Sequence, residues 1–216
     1  ISPGKVVVDM STSSPSLARR LAAQAEALGA AMLDAPVSGG ETGARQGTLS
    51  IMVGGDAATL ERVCPVLQAM GKAITHIGGP GAGQVAKACN QLVGAITVEA
   101  IAEALVLAAR AGVDPARVRQ ALLGGAIYSR ILEHQGQRML ERNFVPGFKA
   151  HLQHKDLRIA LSTARECGAP LPASALVHEL YTSLVAGGKG EMDHSALVTL
   201  LEGLAGVELG GGPQGA

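Results

Sequence analysis

The run GPGAGQVAKACNQLVGAITVEAIAEALVLAARAG, residues 79–112, admits few folds. A glycine-rich turn opens into thirty residues without a proline, which predicts one helix over residues 82–111, about 45 Å long. Val85, Leu92, Val93, Ile96, Ile101 and Leu105 are predicted to anchor it in a core. One stripe differs. At 3.6 residues per turn, Gly83, Lys87, Asn90, Gln91 and Gly94 fall on a common face. An ammonium donor and two amides between glycines make a face suited to a small polar molecule. The plainer reading of Lys87, a surface lysine with its stem laid on apolar neighbours, stays open at this level.

What surrounds that helix follows from composition. The 216 residues are 47% hydrophobic but only 2% aromatic, with no Trp, so the core must be built of Ala, Leu, Val and Ile. Eighteen basic and eighteen acidic residues are spread along the chain, and no basic stripe marks a nucleic-acid surface. Cys64, Cys89 and Cys167 are odd in number and far apart, which predicts neither a disulfide framework nor a zinc site and fits a reducing compartment, the cytoplasm. His151 and His154 lie near Lys155, but no metal-ligand spacing appears, so no metal is expected. Glu99, Glu103 and Arg110 interrupt the most apolar stretch, so no membrane span is expected, and no signal peptide is evident. The chain opens at Ile1-Ser2-Pro3-Gly4, directly before a strand, and reads as the middle of a protein.

Before the long helix, strands are predicted over residues 5–10, 31–35, 49–53 and 73–77, and helices over 16–28 and 57–70. Residues 36–44 read as an extended loop. This alternation predicts an α/β sheet with helical cover. After residues 78–81 only helices are predicted, over 115–123, 129–142, 155–167, 172–186 and 195–204. The organisation expected is therefore an α/β domain over residues 1–78, an all-helical domain over 79–209 and a disordered tail over 210–216.

Several short motifs carry two readings. Ser38, Gly39 and Gly40 follow a strand; their free amides and hydroxyl can hold a carboxylate, or form an ordinary turn. Lys155 and Asp156 can serve a ligand or form an exposed ion pair. Asp193-His194-Ser195 has the composition of a triad without its strained elbow, and Asp193 is better read as a helix cap. The glycines of residues 78–83 follow the last strand, so they read as an interdomain hinge and not as a dinucleotide phosphate loop.

DMSTSSP (9–15), DAPVSGGETGARQGTLSIMVGGD (34–56), GPGAGQVAKACNQ (79–91) and HKDLRIAL (154–161) resemble the β-hydroxyacid dehydrogenase family. MDHSAL (192–197) further resembles its tartronate semialdehyde reductases. The resemblance covers residues 4 to 205. It implies the C-terminal part of a Rossmann-type dinucleotide-binding domain joined by a long helix to an all-helical domain, with the phosphate loop upstream of Ile1. It implies NAD or NADP as cofactor, Lys87 as catalytic proton donor, and Asn90 and Gln91 as substrate-orienting amides. Gln91 departs from the Asn of many relatives but fits the reductase subfamily. Ser38, Gly39 and Gly40 match the loop that grips the substrate carboxylate. Thr12 and Lys155 match cofactor contacts, with Asp156 supporting Lys155. The implied activity is reduction of tartronate semialdehyde to glycerate by a homodimer or homotetramer. The alternatives are another short β-hydroxyacid dehydrogenase, such as one for 3-hydroxyisobutyrate, an imine reductase, or a non-catalytic oligomeric scaffold; relatives of the last two kinds usually lack the lysine.

Overall fold

The computed structural model describes residues 1–210, so the expected tail lies outside the described residues apart from Gly210. The chain forms two compact units, Ile1–Gln91 with Arg158–Pro170, and Leu92–Leu157 with the chain from Leu171 onward. Two of the three crossings between them fall inside helices, α4 (Ala82–Arg110) and α7 (Ala150–Cys167), and the third follows α7 at Pro170.

In the first unit, β1 (Val6–Asp9) leads to α1 (Pro15–Ala27) and β2 (Ala31–Asp34). The start of α1 is local chemistry: Ser14 Oγ accepts from Leu17 N, and Pro15 occupies the first turn, where its missing N–H costs nothing. β1 and β2 pair in parallel, with Asp9 opposite Asp34. A two-residue β3 (Val37–Ser38), α2 (Gly40–Gln46), β4 (Leu49–Gly54), α3 (Ala57–Gln68) and β5 (Gly71–Gly78) follow. Asp56 caps α3 by accepting from Thr59 N and Oγ1, both at 2.8 Å. The backbone N–H of Thr59, then its hydroxyl, hold that carboxyl below its ordinary value.

β4 is central. It is antiparallel to β2 and β3 and parallel to β5, so the sheet is mixed. Leu33, Ala35, Ile51, Val53 and Leu67 form the sealed core beneath it. Removing each larger aliphatic side chain from water contributes roughly 1.5–3 kcal/mol.

The loop predicted over residues 36–44 is wrong in part, because residues 40–46 are helical. Gly39 at φ 136° and Gly40 at φ 62° take backbone conformations that side chains resist. The chain can therefore pass from strand to helix with no spacer. Those glycines read as loop signals, although here they are a helix start.

The glycine run expected to act as a hinge has a packing role. A Cβ at Gly83 would collide with the carbonyl oxygens of Met52 and Asp34, so the head of α4 lies hard against the ends of β2 and β4. Gly83→Ala is expected to lower the unfolding free energy of this unit by about 1–3 kcal/mol, the usual cost of overpacking. Urea denaturation measures it; an unchanged midpoint would show that this approach is slack.

In the second unit, α4 supplies fully buried Ala95, Val98, Ala102 and Leu105; of the predicted anchors, Leu105 and Ile101 are buried, and Leu92 and Ile96 pack half-buried against the core. Val93 does not follow; it is 66% exposed, on the stripe turned to solvent. By length and composition α4 is apolar enough to cross a membrane, contrary to expectation, and 44% of its most apolar window is buried in the protein. Burial, then a bond shared with Glu103, pushes Glu99 on this helix up to about 7.

α5 (Pro115–Leu123) and α6 (Arg130–Leu140) are N-capped by the side chains of Asp114 and Ser129. α7 begins at Ala150, earlier than predicted, because its inward face carries Gln153 and Asp156 beside Ala150, Leu157 and Ala160 and so does not look apolar. α8 (Pro172–Leu184) ends in a wide turn over Val185–Lys189, which Gly188 kinks at φ 79°. A 3-10 turn, His194–Leu197, then opens α9 (Val198–Ala205).

Asp193 caps that turn, as expected, and does more. Its Oδ1 accepts from Ser195 N at 3.1 Å and Ser195 Oγ at 2.7 Å. Its Oδ2 accepts from Gly147 N at 2.9 Å and Phe148 N at 3.1 Å. Ser195 thus donates to the carboxylate directly and is fully buried, which removes the triad reading.

Candidate active site

The head of α4 is fastened from outside the helix. Asp34, at the carboxyl end of β2 and 2% exposed, accepts from Gly81 N at 2.7 Å and Gln84 N at 2.9 Å. A carboxylate here satisfies helix N–H groups that have no partner within the helix, and it meets the positive end of the helix dipole. The cap comes from a strand 47 residues away in sequence. No local capping rule could have found it.

Gln84, 1% exposed, is the residue that the sequence reading missed. Its Nε2 donates to Ser11 O at 2.8 Å, and its Oε1 accepts from Ser13 N at 3.0 Å. Asp9 Oδ1 accepts from Ser11 N at 3.0 Å and Ser11 Oγ at 2.6 Å. Half-buried Thr12 therefore sits in a turn held from both sides. Among the described residues, Ser13 Oγ is buried without a hydrogen-bond partner. The available signal for Gln84 was its place three residues before Lys87, one helical turn on the same face.

Lys87 is 8% exposed, so it is not the solvated lysine of the plain reading. Its Nζ donates to Gln91 Oε1 at 2.9 Å. Asn90 Nδ2 donates to the same oxygen at 2.8 Å, from a more exposed position. The predicted stripe is thus one hydrogen-bonded cluster, in which a neutral amide oxygen orients the ammonium.

Ser38 ends β3, half-buried and in register with Ser50, and Gly39 and Gly40 lie exposed where the chain enters α2. These three and Thr12 share the first unit with the Lys87 cluster. Lys155 and Asp156 lie on α7 in the second unit. Lys155 Nζ stands 3.0 Å from Asp156 Oδ1, whose side chain is 3% exposed against 37% for the lysine. This is a half-buried ion pair, not the exposed one of the plain reading.

Residues 81–201 match the family described as NAD-binding of NADP-dependent 3-hydroxyisobutyrate dehydrogenase, and residues 1–78 match the NAD binding domain of 6-phosphogluconate dehydrogenase. The 2-hydroxy-3-oxopropionate reductase of Escherichia coli strain K12 is 53% identical over 206 residues, covering 95% of this chain and 70% of the relative. A 3-hydroxyisobutyrate dehydrogenase-like protein of Arabidopsis thaliana is 42% identical, covering 95% of this chain and 61% of the relative. Among solved structures, the 3-hydroxyisobutyrate dehydrogenase of Mycobacterium tuberculosis with L-serine superposes at a TM-score of 0.86 with 37% identity, covering 92% of this chain and 70% of that one. A dinucleotide-binding sheet followed by a helical region is the architecture of a nicotinamide-dependent oxidoreductase. The chain belongs to the β-hydroxyacid dehydrogenase family, with tartronate semialdehyde reductase among its near relatives, and its cofactor is NAD or NADP.

Proposed function

We propose that the protein reduces tartronate semialdehyde (2-hydroxy-3-oxopropionate) to glycerate, with Lys87 as the proton donor. The observation that carries this reading is the cluster of buried Lys87 and Gln91 with the more exposed Asn90 near the head of α4. When bound, the nicotinamide supplies the hydride.

Lys87 Nζ gives a proton to the carbonyl oxygen as negative charge develops there, so one hydride and one proton convert C=O to CH–OH. Gln91 holds the ammonium in place, and Asn90, the more exposed amide, orients the substrate. Ser38 with the amides at Gly39 and Gly40 grips the carboxylate. On the cofactor side, Thr12 and Lys155 make contacts, and Asp156 steadies Lys155 through their ion pair. The buried, unpartnered Ser13 hydroxyl beside Thr12 fits a turn that serves a polar ligand. In the same reading the enzyme is a homodimer or homotetramer of the cytoplasm, in keeping with free Cys64, Cys89 and Cys167.

Rates of nicotinamide oxidation by the whole enzyme test the substrate. kcat/KM for tartronate semialdehyde is expected to exceed that for methylmalonate and succinate semialdehydes by about 10-fold or more, since a site that bonds the extra hydroxyl is left unpaired by analogues without it. A preference for methylmalonate semialdehyde would transfer the assignment to a 3-hydroxyisobutyrate dehydrogenase. No oxidation with any of the three would favour a non-catalytic scaffold.

A further inference from the structure

Gln84 is among the most completely buried polar side chains of the chain, and the mechanism above gives it no part. Its carboxamide grips both peptide groups that flank Thr12, giving a hydrogen to Ser11 O and taking one from Ser13 N. Few side chains can do both at once from a single planar group. A carboxylate only accepts, an ammonium or guanidinium only donates, and Asn is one methylene short. The backbone N–H of Gln84 is itself bonded to Asp34 Oδ2, so the clamp is anchored to β2. Lys87 follows three residues later on the same rigid helix.

We propose that Gln84 is a positioning residue that sets where Thr12 stands relative to Lys87. The proposal rests on the reading of Thr12 and Lys87 as site residues. Opening the clamp would let the turn of residues 11–13 drift, and a displacement of about 1 Å in a hydride-transfer site is enough to cost about 100-fold in rate. Asp34 and Gln84 then form a chain of hydrogen bonds that ties the ends of β1 and β2 to the helix bearing the ammonium.

The test uses the whole enzyme. Gln84→Leu keeps the volume and removes both bonds; kcat is expected to fall about 10- to 100-fold. The loss is expected not to add to that of Thr12→Ala, because each removes the same correctly placed residue. Gln84→Glu keeps the shape and the acceptor for Ser13 N. Once protonated it also donates to Ser11 O, so its kcat relative to the parent is expected to rise as the pH falls. That variant carries the test should Gln84→Leu fail to fold. Fully additive losses, a flat ratio against pH, or a folded Gln84→Leu enzyme within twofold of the parent kcat would each overturn the proposal.

Amide hydrogen exchange at Ser13 reads the clamp without turnover, and faster exchange in Gln84→Leu is the expected result. Unchanged exchange would overturn the clamp itself. An unmodified enzyme that turns over no semialdehyde would instead overturn the catalytic reading on which the proposal stands, while Ser13 exchange still reported the clamp.

Discussion

Lys87→Ala is expected to give a folded protein that binds nicotinamide cofactor and has lost about 10²- to 10⁴-fold in kcat, the usual contribution of a positioned proton donor. Lys87 is 8% exposed, and its bond to Gln91 fixes one geometry for the ammonium. Removing it leaves the oxygen of the reacting carbonyl without a donor while the hydride source is unaffected. Fold and chemistry therefore separate: circular dichroism and a cofactor titration are expected to match the parent, and steady-state rates are not. Lys87→Arg is expected to fare little better, because a guanidinium keeps the charge but does not give up its proton near neutral pH. A kcat for Lys87→Ala within threefold of the parent would remove the proton-donor role.

Asp193→Ala is expected to lower the stability of the second unit by about 3–5 kcal/mol, a large share of what holds any domain together. Four hydrogen bonds converge on this carboxylate, from Gly147, Phe148 and both donors of Ser195, and Arg138 Nε stands 3.7 Å away. Removing the acceptor orphans both buried donors of Ser195 and frees the amides of Gly147 and Phe148 at once. Burial raises the carboxyl pKa, but the charge at His194 and the bonds from Ser195 and Phe148 outweigh it and leave it below its ordinary value of 3.8.

The pH dependence follows from that direction. A depressed carboxyl stabilises the fold fully above its unfolded value and loses this as the pH falls through its lower folded value. The parent is therefore expected to lose stability below about pH 3.8 more steeply than Asp193→Asn. His194 adds to the loss from higher pH. Burial, and then Arg138, hold it below 6.5 against the pull of Asp193, so below that value the unfolded chain binds the extra proton. Urea denaturation across the acid range measures both effects; parallel curves for the two proteins would refute the role given to Asp193.

Much of this architecture was legible in the linear text because its causes are local. Ser14, Asp56, Asp114 and Ser129 each cap a helix by bonding an N–H two or three residues ahead. Lys87, Asn90 and Gln91 fell on one stripe because helical periodicity alone puts them there. The amino-acid order by itself therefore determined most of the helices and strands, though not β3 or α2, with the break in character after β5, the alignment of the ammonium with two amides, and the family.

Tertiary structure decided what joins distant segments. The antiparallel course of β4 against β2 and β3 has no local signature, and the early start of α7 was hidden by polar residues on its inward face. Asp34 meets Gly81 and Gln84 across 47 and 50 residues, and Gln84 meets residues 11–13 across 71 and 73. A carboxylate or an amide looks the same in a sequence whether it faces water or a buried N–H. Only folding, by removing water from around it, chooses its partner and makes that bond matter.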